Sequence, residues 1–392
     1  MPDQPGVQPN RSPLYESHVS AGARMVVRDG WEVPADYGRC HDECIQLHTR
    51  AAVMDLTCDG RIRIRGDGAL NMLERLCTAD VARQEDDTAI RSLLLNQRGC
   101  VIDMVTVMRL DGWWVLTCSP GRRQAVLEHL QSHAEQFDAK VDDQTFKTAT
   151  VAVVGPMGAE ILDRFLPDKP SGLAGGAVKV GSMLIANYIA ARTGATDLWS
   201  LEVTLPNMLV GQAWKFITAK AGQNENALPP AGMDARDVLR IEAHLPRWGH
   251  EMDEDTDPIS AGLSGMMCRE KDFLGAEAVA PTGQAAVRRA PWGQAPWGQA
   301  GRPSRRVAWS MEAAAPAVPG GAGPGPGIAR GDRLLDPAGR AIGVVTSAAF
   351  SPSADMWLGQ GRAEAGLLGT GSVLAIETAV GQRHYVTVAE AF

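Results

Sequence analysis

No stretch of this 392-residue chain is apolar for long enough to span a bilayer as a helix. The polar, proline-rich residues 1–12 hold no apolar signal-peptide core, so the expected compartment is the cytoplasm. An excess of basic charge is also missing. The formal net charge is -8, which argues against non-specific binding to nucleic acid. The seven cysteines are odd in number, scattered, and include no CxxC pair, so reduced thiols are expected rather than a disulfide framework. Cys40-His41-x-x-Cys44 has no second ligand pair nearby and reads as a buried helix face, not a metal corner. No nucleotide-binding loop is present: the glycine cluster at 172–176 lacks a following Lys-Ser/Thr and reads as a solvent loop.

What is there is an ordinary globular composition, 45% apolar and 21% charged, in a chain long enough for two or more domains. The most informative stretch is 93–107, which reads as strand, turn, strand. The turn is Asn96-Gln97-Arg98-Gly99, where Gly99 can take the positive φ of a tight turn. The second strand carries Asp103 among apolar neighbours, and a carboxylate there needs a partner or a task. Asp111-Gly112 marks a second turn, and 113–118 is the returning strand. Before the hairpin, 40–52 has helical character and 53–56 reads as a strand. Arg61-Ile62-Arg63-Ile64-Arg65 alternates strictly, predicting a strand whose three arginines form a solvated face.

After the hairpin come a helix over 122–137, a strand at 149–154, a helix opened by Gly155-Pro156, and a hairpin over 178–192 turning near Gly181-Ser182. A strand at 200–204 and a helix over 208–221 follow. Hairpins alternating with helices indicate α+β rather than a doubly wound sheet. Composition changes near 280. A tandem repeat begins at Ala290 and again at Ala295, and 313–327 is almost entirely Ala, Pro and Gly; both read as linkers. Five short strands between and after them predict a small C-terminal β-barrel. The expected organisation is a disordered tail at 1–12, two interleaved α+β subdomains over 13–280, a linker at 281–304 and the barrel at 305–392.

Several segments together resemble the glycine cleavage system T-protein, or aminomethyltransferase, family. The hairpin matches that family's L-L-x-N-x-x-G-G-x-x-D-D pattern. Also matching are Gly30-Trp31-Glu32-Val33-Pro34, Leu76-Cys77-Thr78-Ala79-Asp80-Val81, Gly155-Pro156 and Arg192-Thr193-Gly194. The most specific block is Pro230-Ala231-Gly232-Met233-Asp234-Ala235-Arg236-Asp237-Val238-Leu239-Arg240-Ile241-Glu242-Ala243, continuing into Trp248-Gly249-His250-Glu251-Met252-Asp253. Ile342-Gly343-Val344-Val345-Thr346-Ser347 and Phe350-Ser351-Pro352 repeat the family's ending.

The resemblance implies a three-domain disc around a central channel that takes tetrahydrofolate. It implies one-carbon transfer to that folate from the aminomethyl group of a lipoyl carrier protein. By residue-by-residue match, Glu202 is the folate-binding glutamate that grips the pterin's amino-pyrimidine edge, where a carboxylate can accept two hydrogen bonds at once. Arg236 is the arginine that helps hold the site, with a bond to Asp237 or Glu242 as its plainer role. Asp103 is the candidate catalytic acid. The family writes Asp-Asp where this chain has Asp103-Met104, and the second acid is the one that usually faces the folate. Successive strand residues point to opposite faces, so Asp103 reaches the folate only if a bulge turns it inward. Other departures are Arg91 where the family has Tyr, Cys118 for Asn, Ala195 for Tyr, and Thr57-Cys58-Asp59-Gly60 for Ser-His-Met-Gly. Two alternatives stand beside transfer: a non-catalytic folate-binding or scaffold paralogue, and a folate-dependent demethylase with another methyl donor. The family's iron–sulphur-repair branch ranks last, because its K-G-C-Y-x-G-Q-E motif is replaced by Lys271-Asp272-Phe273-Leu274-Gly275-Ala276-Glu277.

Overall fold

The computed structural model describes residues 8–164, 166, 169–183, 186–194, 196–218, 227–279, 304–312 and 326–392. The chain forms two compact units: Met1–Leu94, Ile102–Leu239 and Cys268–Phe273 make the first, and Leu95–Val101, Arg240–Met267 and Leu274–Phe392 make the second.

The first unit is built on two five-stranded sheets. One runs in the order Val178–Met183, Ala186–Ala191, Ser200–Pro206, Thr148–Val154, Ala52–Asp55. Its alternating pattern separates the two faces. Val151, Val153, Leu201, Val203 and Leu205 pack with Val210 and Trp214 of the helix Asn207–Ile217 and with Ile161 and Leu162 of the helix Gly158–Leu162. The other face carries Thr150, Ala152, Glu202 and Thr204, with Ala152 directly opposite Glu202 and the Thr150 and Thr204 hydroxyls 2.8 Å apart. The second sheet runs Thr88–Leu95, Val101–Leu110, Trp113–Cys118, Gly60–Arg65, Lys140–Asp143. Met108, Leu110 and Val115 of this sheet pack with Ile189 and Ala191 of the first. Ala191 is paired with Glu202 and Ile189 with Thr204. The Met108 face of the second sheet is therefore turned toward the Glu202 face of the first.

The turns of the central hairpins stand where the sequence placed them, with Gly99 at φ 73° and Gly112 at φ 74°. The solvated arginine face does not. Arg61 is buried, while Arg63 is half-buried and Arg65 exposed. The turn of the 178–192 hairpin also falls later than expected. Gly181 lies within its strand because a Cβ there would sit 2.2 Å from the ring of its neighbour Tyr188; residues 184 and 185 lie outside the described residues. Within the stretch expected to be disordered, Asn10–Arg11 pairs in parallel with Trp31 and Glu32 in a three-stranded sheet.

The second unit contains a closed barrel in the order Ser304–Glu312, Met356–Glu364, Ala341–Ser351, Arg333–Leu335, Val373–Glu377, Arg383–Ala391. Val307, Trp309, Leu334, Val345, Ile376 and Val386 fill its interior. Arg333–Leu335 is the strand that the sequence did not disclose; three residues are too few to show alternation. The fold is α+β with a C-terminal β-barrel. Both linker repeats, at Ala290 and Ala295, lie outside the described residues, as does most of 313–327. Among the described residues no helix is long and apolar enough to cross a membrane.

Candidate functional site

Glu202 lies mid-strand on the face turned toward the second sheet and is half-buried. The Thr193 hydroxyl donates to its Oε1 at 2.6 Å. Among the described residues no protein donor meets Oε2. Burial pushes the carboxyl above the usual carboxylate range, and Asp59 pushes the same way. The Thr193 hydroxyl and the Arg236 and Arg91 charges pull it back.

Arg236 comes from the helix Met233–Glu242. Its expected partners on that helix are not the ones it uses. Nη1 and Nη2 donate to Asp59 Oδ1 and Oδ2 at 3.1 and 2.8 Å, a bidentate pair. Burial works against the guanidinium charge, but Asp59 outweighs it and holds the arginine firmly protonated. Asp59 is in turn held by Arg61. Nη1 of Arg61 donates to the carbonyls of Thr57 and Asp59, and Nη2 to those of Thr145 and Thr148. A buried charge satisfied by carbonyls thus fixes the turn at 57–60 and presents the Asp59 carboxylate to Arg236. Asp59 and Arg61 were missed by sequence reasoning. Asp59 lies 177 positions from its partner, and no local pattern links them.

Arg91, from the strand Thr88–Leu95, donates to the carbonyl of Gly194, next to Thr193, and its charge faces Glu202 and Asp197. Trp199 does not enter the Glu202 face. Its ring packs at Gly158 on the helix side of the sheet, with the Arg192 guanidinium 5.2 Å from its centroid. Ala195 lies outside the described residues.

Asp103 is fully buried on the strand Val101–Leu110. Ser119 N–H donates to its Oδ2 at 2.7 Å and the Ser119 hydroxyl to its Oδ1 at 2.8 Å. Burial pushes its pKa up to about 7, against the pull of Ser119 and the Arg122 charge. Asp103, Val105 and Val107 are buried, while Met104 and Thr106 are half-buried. The register from Thr106 to Leu110 runs without a shift, and within it Met108 lies on the face that packs against Ile189 and Ala191. Asp103 is the expected catalytic acid, and in the structure the backbone and hydroxyl of Ser119 each donate to one of its oxygens. Cys40 and Cys44 share the helix Cys40–Thr49 with their sulfurs 3.9 Å apart.

The family model of the GCVT N-terminal domain matches residues 14–271. The chain belongs to the glycine cleavage T-protein family. The model of the glycine cleavage T-protein C-terminal barrel domain matches residues 323–392. The barrel's first strand, Ser304–Glu312, stands ahead of that match. An aminomethyltransferase of Rubrobacter xylanophilus is 30% identical over 346 residues, 88% of this chain and 84% of that one. One from Moorella thermoacetica is 30% identical over 368 residues, 93% of each. The crystal structure of glycine cleavage system aminomethyltransferase T from Bartonella henselae superposes with a TM-score of 0.80 at 25% identity and covers 97% of both chains. This T-protein family member thus keeps Glu202 and Arg236 together in one unit.

Proposed function

We propose that the protein binds tetrahydrofolate and serves one-carbon transfer of the aminomethyltransferase type, with the aminomethyl-lipoyl carrier protein of the glycine cleavage system as donor. The observation that carries this reading is Glu202, a desolvated carboxylate with one oxygen fixed by Thr193 and the other unengaged among the described residues. Such a group suits the paired N–H donors along a pterin's amino-pyrimidine edge. Arg236 and Asp59, locked together, hold the neighbouring wall and limit side-chain freedom before any ligand arrives. Tetrahydrofolate, when bound, supplies the nitrogen that takes up the one-carbon unit. The chain's own contribution is to orient the pterin and to exclude water from the transfer.

A second reading, a folate-binding paralogue with little turnover, is favoured by Met104. Where the resemblance expects the folate-facing acid, the strand offers a half-buried thioether, which moves no proton. Anaerobic calorimetry with tetrahydrofolate tests the shared part of both readings. The wild type binds, and Glu202→Ala weakens binding by about 10- to 100-fold, the worth of charge-assisted hydrogen bonds. Unchanged affinity in Glu202→Ala would remove the folate reading. A methylene-transfer assay with the loaded carrier protein separates the two, since binding without transfer supports the paralogue.

A further inference from the structure

Glu43 is a buried acid that the proposed transfer does not use. It comes from the helix Cys40–Thr49, where Cys44 and Leu47 are also buried. Each of its oxygens meets one backbone N–H. Tyr37 N–H donates to Oε1 at 2.6 Å, and Gly232 N–H donates to Oε2 at 2.8 Å. Gly232 has no room for a side chain: a Cβ there would sit 2.2 Å from the carbonyl oxygen of Ala35, on the strand Trp31–Asp36. The carbonyl of Gly232 in turn accepts from Arg236 N–H at 3.3 Å. Contacts thus run from Glu43 through both polar groups of Gly232 to the Arg236 backbone, and from the Arg236 side chain to Asp59. All of these residues belong to the first unit. Other contacts hold the same helix end. Ala231 N–H donates to the Val53 carbonyl at 2.9 Å, and Asp234 accepts from Arg24 at 2.7 Å and from Arg28. The Arg24 and Arg28 side chains are 56% and 30% exposed, so water and salt weaken those ion pairs. Glu43 holds this end from inside, and a charged acceptor makes the stronger hydrogen bond.

We infer that Glu43 is a positioning residue for Arg236: its carboxylate fixes the amide from which the arginine's helix starts, so that the guanidinium meets Asp59 in one place before any ligand arrives. A bidentate pair demands both distance and angle, and a site residue keeps such geometry only where its supporting contacts are themselves locked. The inference deepens the folate reading and rests on it for the ligand, but the seating of Arg236 can be read in the ligand-free protein.

The test is hydrogen exchange of the Arg236 guanidinium, followed by nitrogen-15 NMR of the ligand-free protein and assigned by loss of the signals in Arg236→Lys. Glu43→Ala removes both acceptors. Glu43→Gln keeps the shape and one acceptor, and turns an amide NH2 toward the other backbone N–H. Val210→Ala opens a cavity in the apolar core of the first sheet and is the control for a general loss of stability. Arg236 exchange is expected to be faster than in the wild type by about 10-fold or more in Glu43→Ala, faster also in Glu43→Gln, and near the wild-type rate in Val210→Ala. Tetrahydrofolate binding in Glu43→Ala is expected to weaken by about 3- to 10-fold, because an unseated Arg236 must be ordered at binding. Arg236 exchange at the wild-type rate in either Glu43 variant, or a rise just as large in Val210→Ala, overturns the inference. The two readings fail separately. If Glu202→Ala binds tetrahydrofolate as well as the wild type does, the folate reading falls, while exchange in the ligand-free protein still decides the role of Glu43.

Discussion

Met104 is half-buried on the strand Val101–Leu110, and the alternation of a strand sends its thioether and the Asp103 carboxylate one residue earlier to opposite sides. Two adjacent positions therefore differ in everything that matters for proton handling. Asp103 is buried and bonded to Ser119; position 104 is half-buried and holds Met where the resemblance expects the folate-facing acid. A general acid or base placed in a transfer site contributes about 10²- to 10⁴-fold in rate. Met104→Asp is accordingly expected to raise methylene transfer by about 10²-fold or more over the wild type in a carrier-protein assay. The half-burial of this position leaves the new acid its access to water. Asp103→Asn is expected to leave transfer and tetrahydrofolate affinity within about twofold, since an amide oxygen still accepts from Ser119 N–H and the hydroxyl can turn to accept from the amide. A Met104→Asp protein no faster than the wild type, beside an Asp103→Asn protein that has lost activity, would reverse the assignment of faces.

The strand Gly60–Arg65 shows how an element can be read correctly in kind and wrongly in orientation. Arginine and isoleucine alternate, so a strand follows, but alternation says which residues share a face and not which face is dry. Arg61 is drawn inward because the turn before it and the segment at 145–148 present four carbonyls that one guanidinium satisfies together. The hairpins around Gly99 and Gly112 were legible because glycine at positive φ marks them locally. The helix Arg123–Ala134 was legible through its stripe of Val126, Leu127 and Leu130. Gly181 misled because it answers to a ring across the hairpin and not to a turn. In the candidate site Glu202 and Arg236 could be found by resemblance, whereas the Asp59 pairing and the contact of Arg91 with Gly194 exist only once distant segments meet. Removing the Arg61 guanidinium strands several buried acceptors at about 1–3 kcal/mol each before water relieves some of them. Arg61→Met is therefore expected to lower unfolding stability by about 3 kcal/mol or more in a denaturant titration. It is also expected to weaken tetrahydrofolate binding, because Asp59 loses its seat beside Arg236. A stability change under about 1 kcal/mol would mean that water replaces the guanidinium freely.

At the scale of the whole molecule, a carboxylate that the fold shifts down and one that it shifts up have opposite effects on the pH dependence of stability. Asp55 is held below the usual range: burial works against its charge, but the hydrogen bond from His18, with help from Ser12 and Thr57, outweighs it. Its contribution is present above the ordinary aspartate value and is lost as the pH falls through the folded value. Asp103, Glu43 and Glu202 are raised, each by burial first. For a raised acid the folded state holds the proton more tightly than the unfolded chain does, so its stabilisation is full below the unfolded value and drains away as the pH rises through the folded one. For Asp103 that window runs from the ordinary 3.8 to about 7. Within it, a single fully buried acid changes unfolding stability by about 1.4 kcal/mol per pH unit. The net charge of -8 acts in the same direction through self-repulsion, but salt screens that repulsion and leaves a buried acid almost untouched. Unfolding stability is therefore expected to decline between about pH 5 and pH 7 and to level off above, with much of the slope surviving in high salt. Asp103→Asn removes the proton equilibrium while keeping shape and acceptor, and its profile over the same interval is expected to be flatter. Denaturant titrations at matched ionic strength measure both slopes. An Asn variant with the wild-type slope would place the pH dependence in Glu43 and Glu202 instead, and a wild type whose stability rises toward pH 7 would show that Asp103 is ionised in the fold, held by Ser119 in spite of its burial.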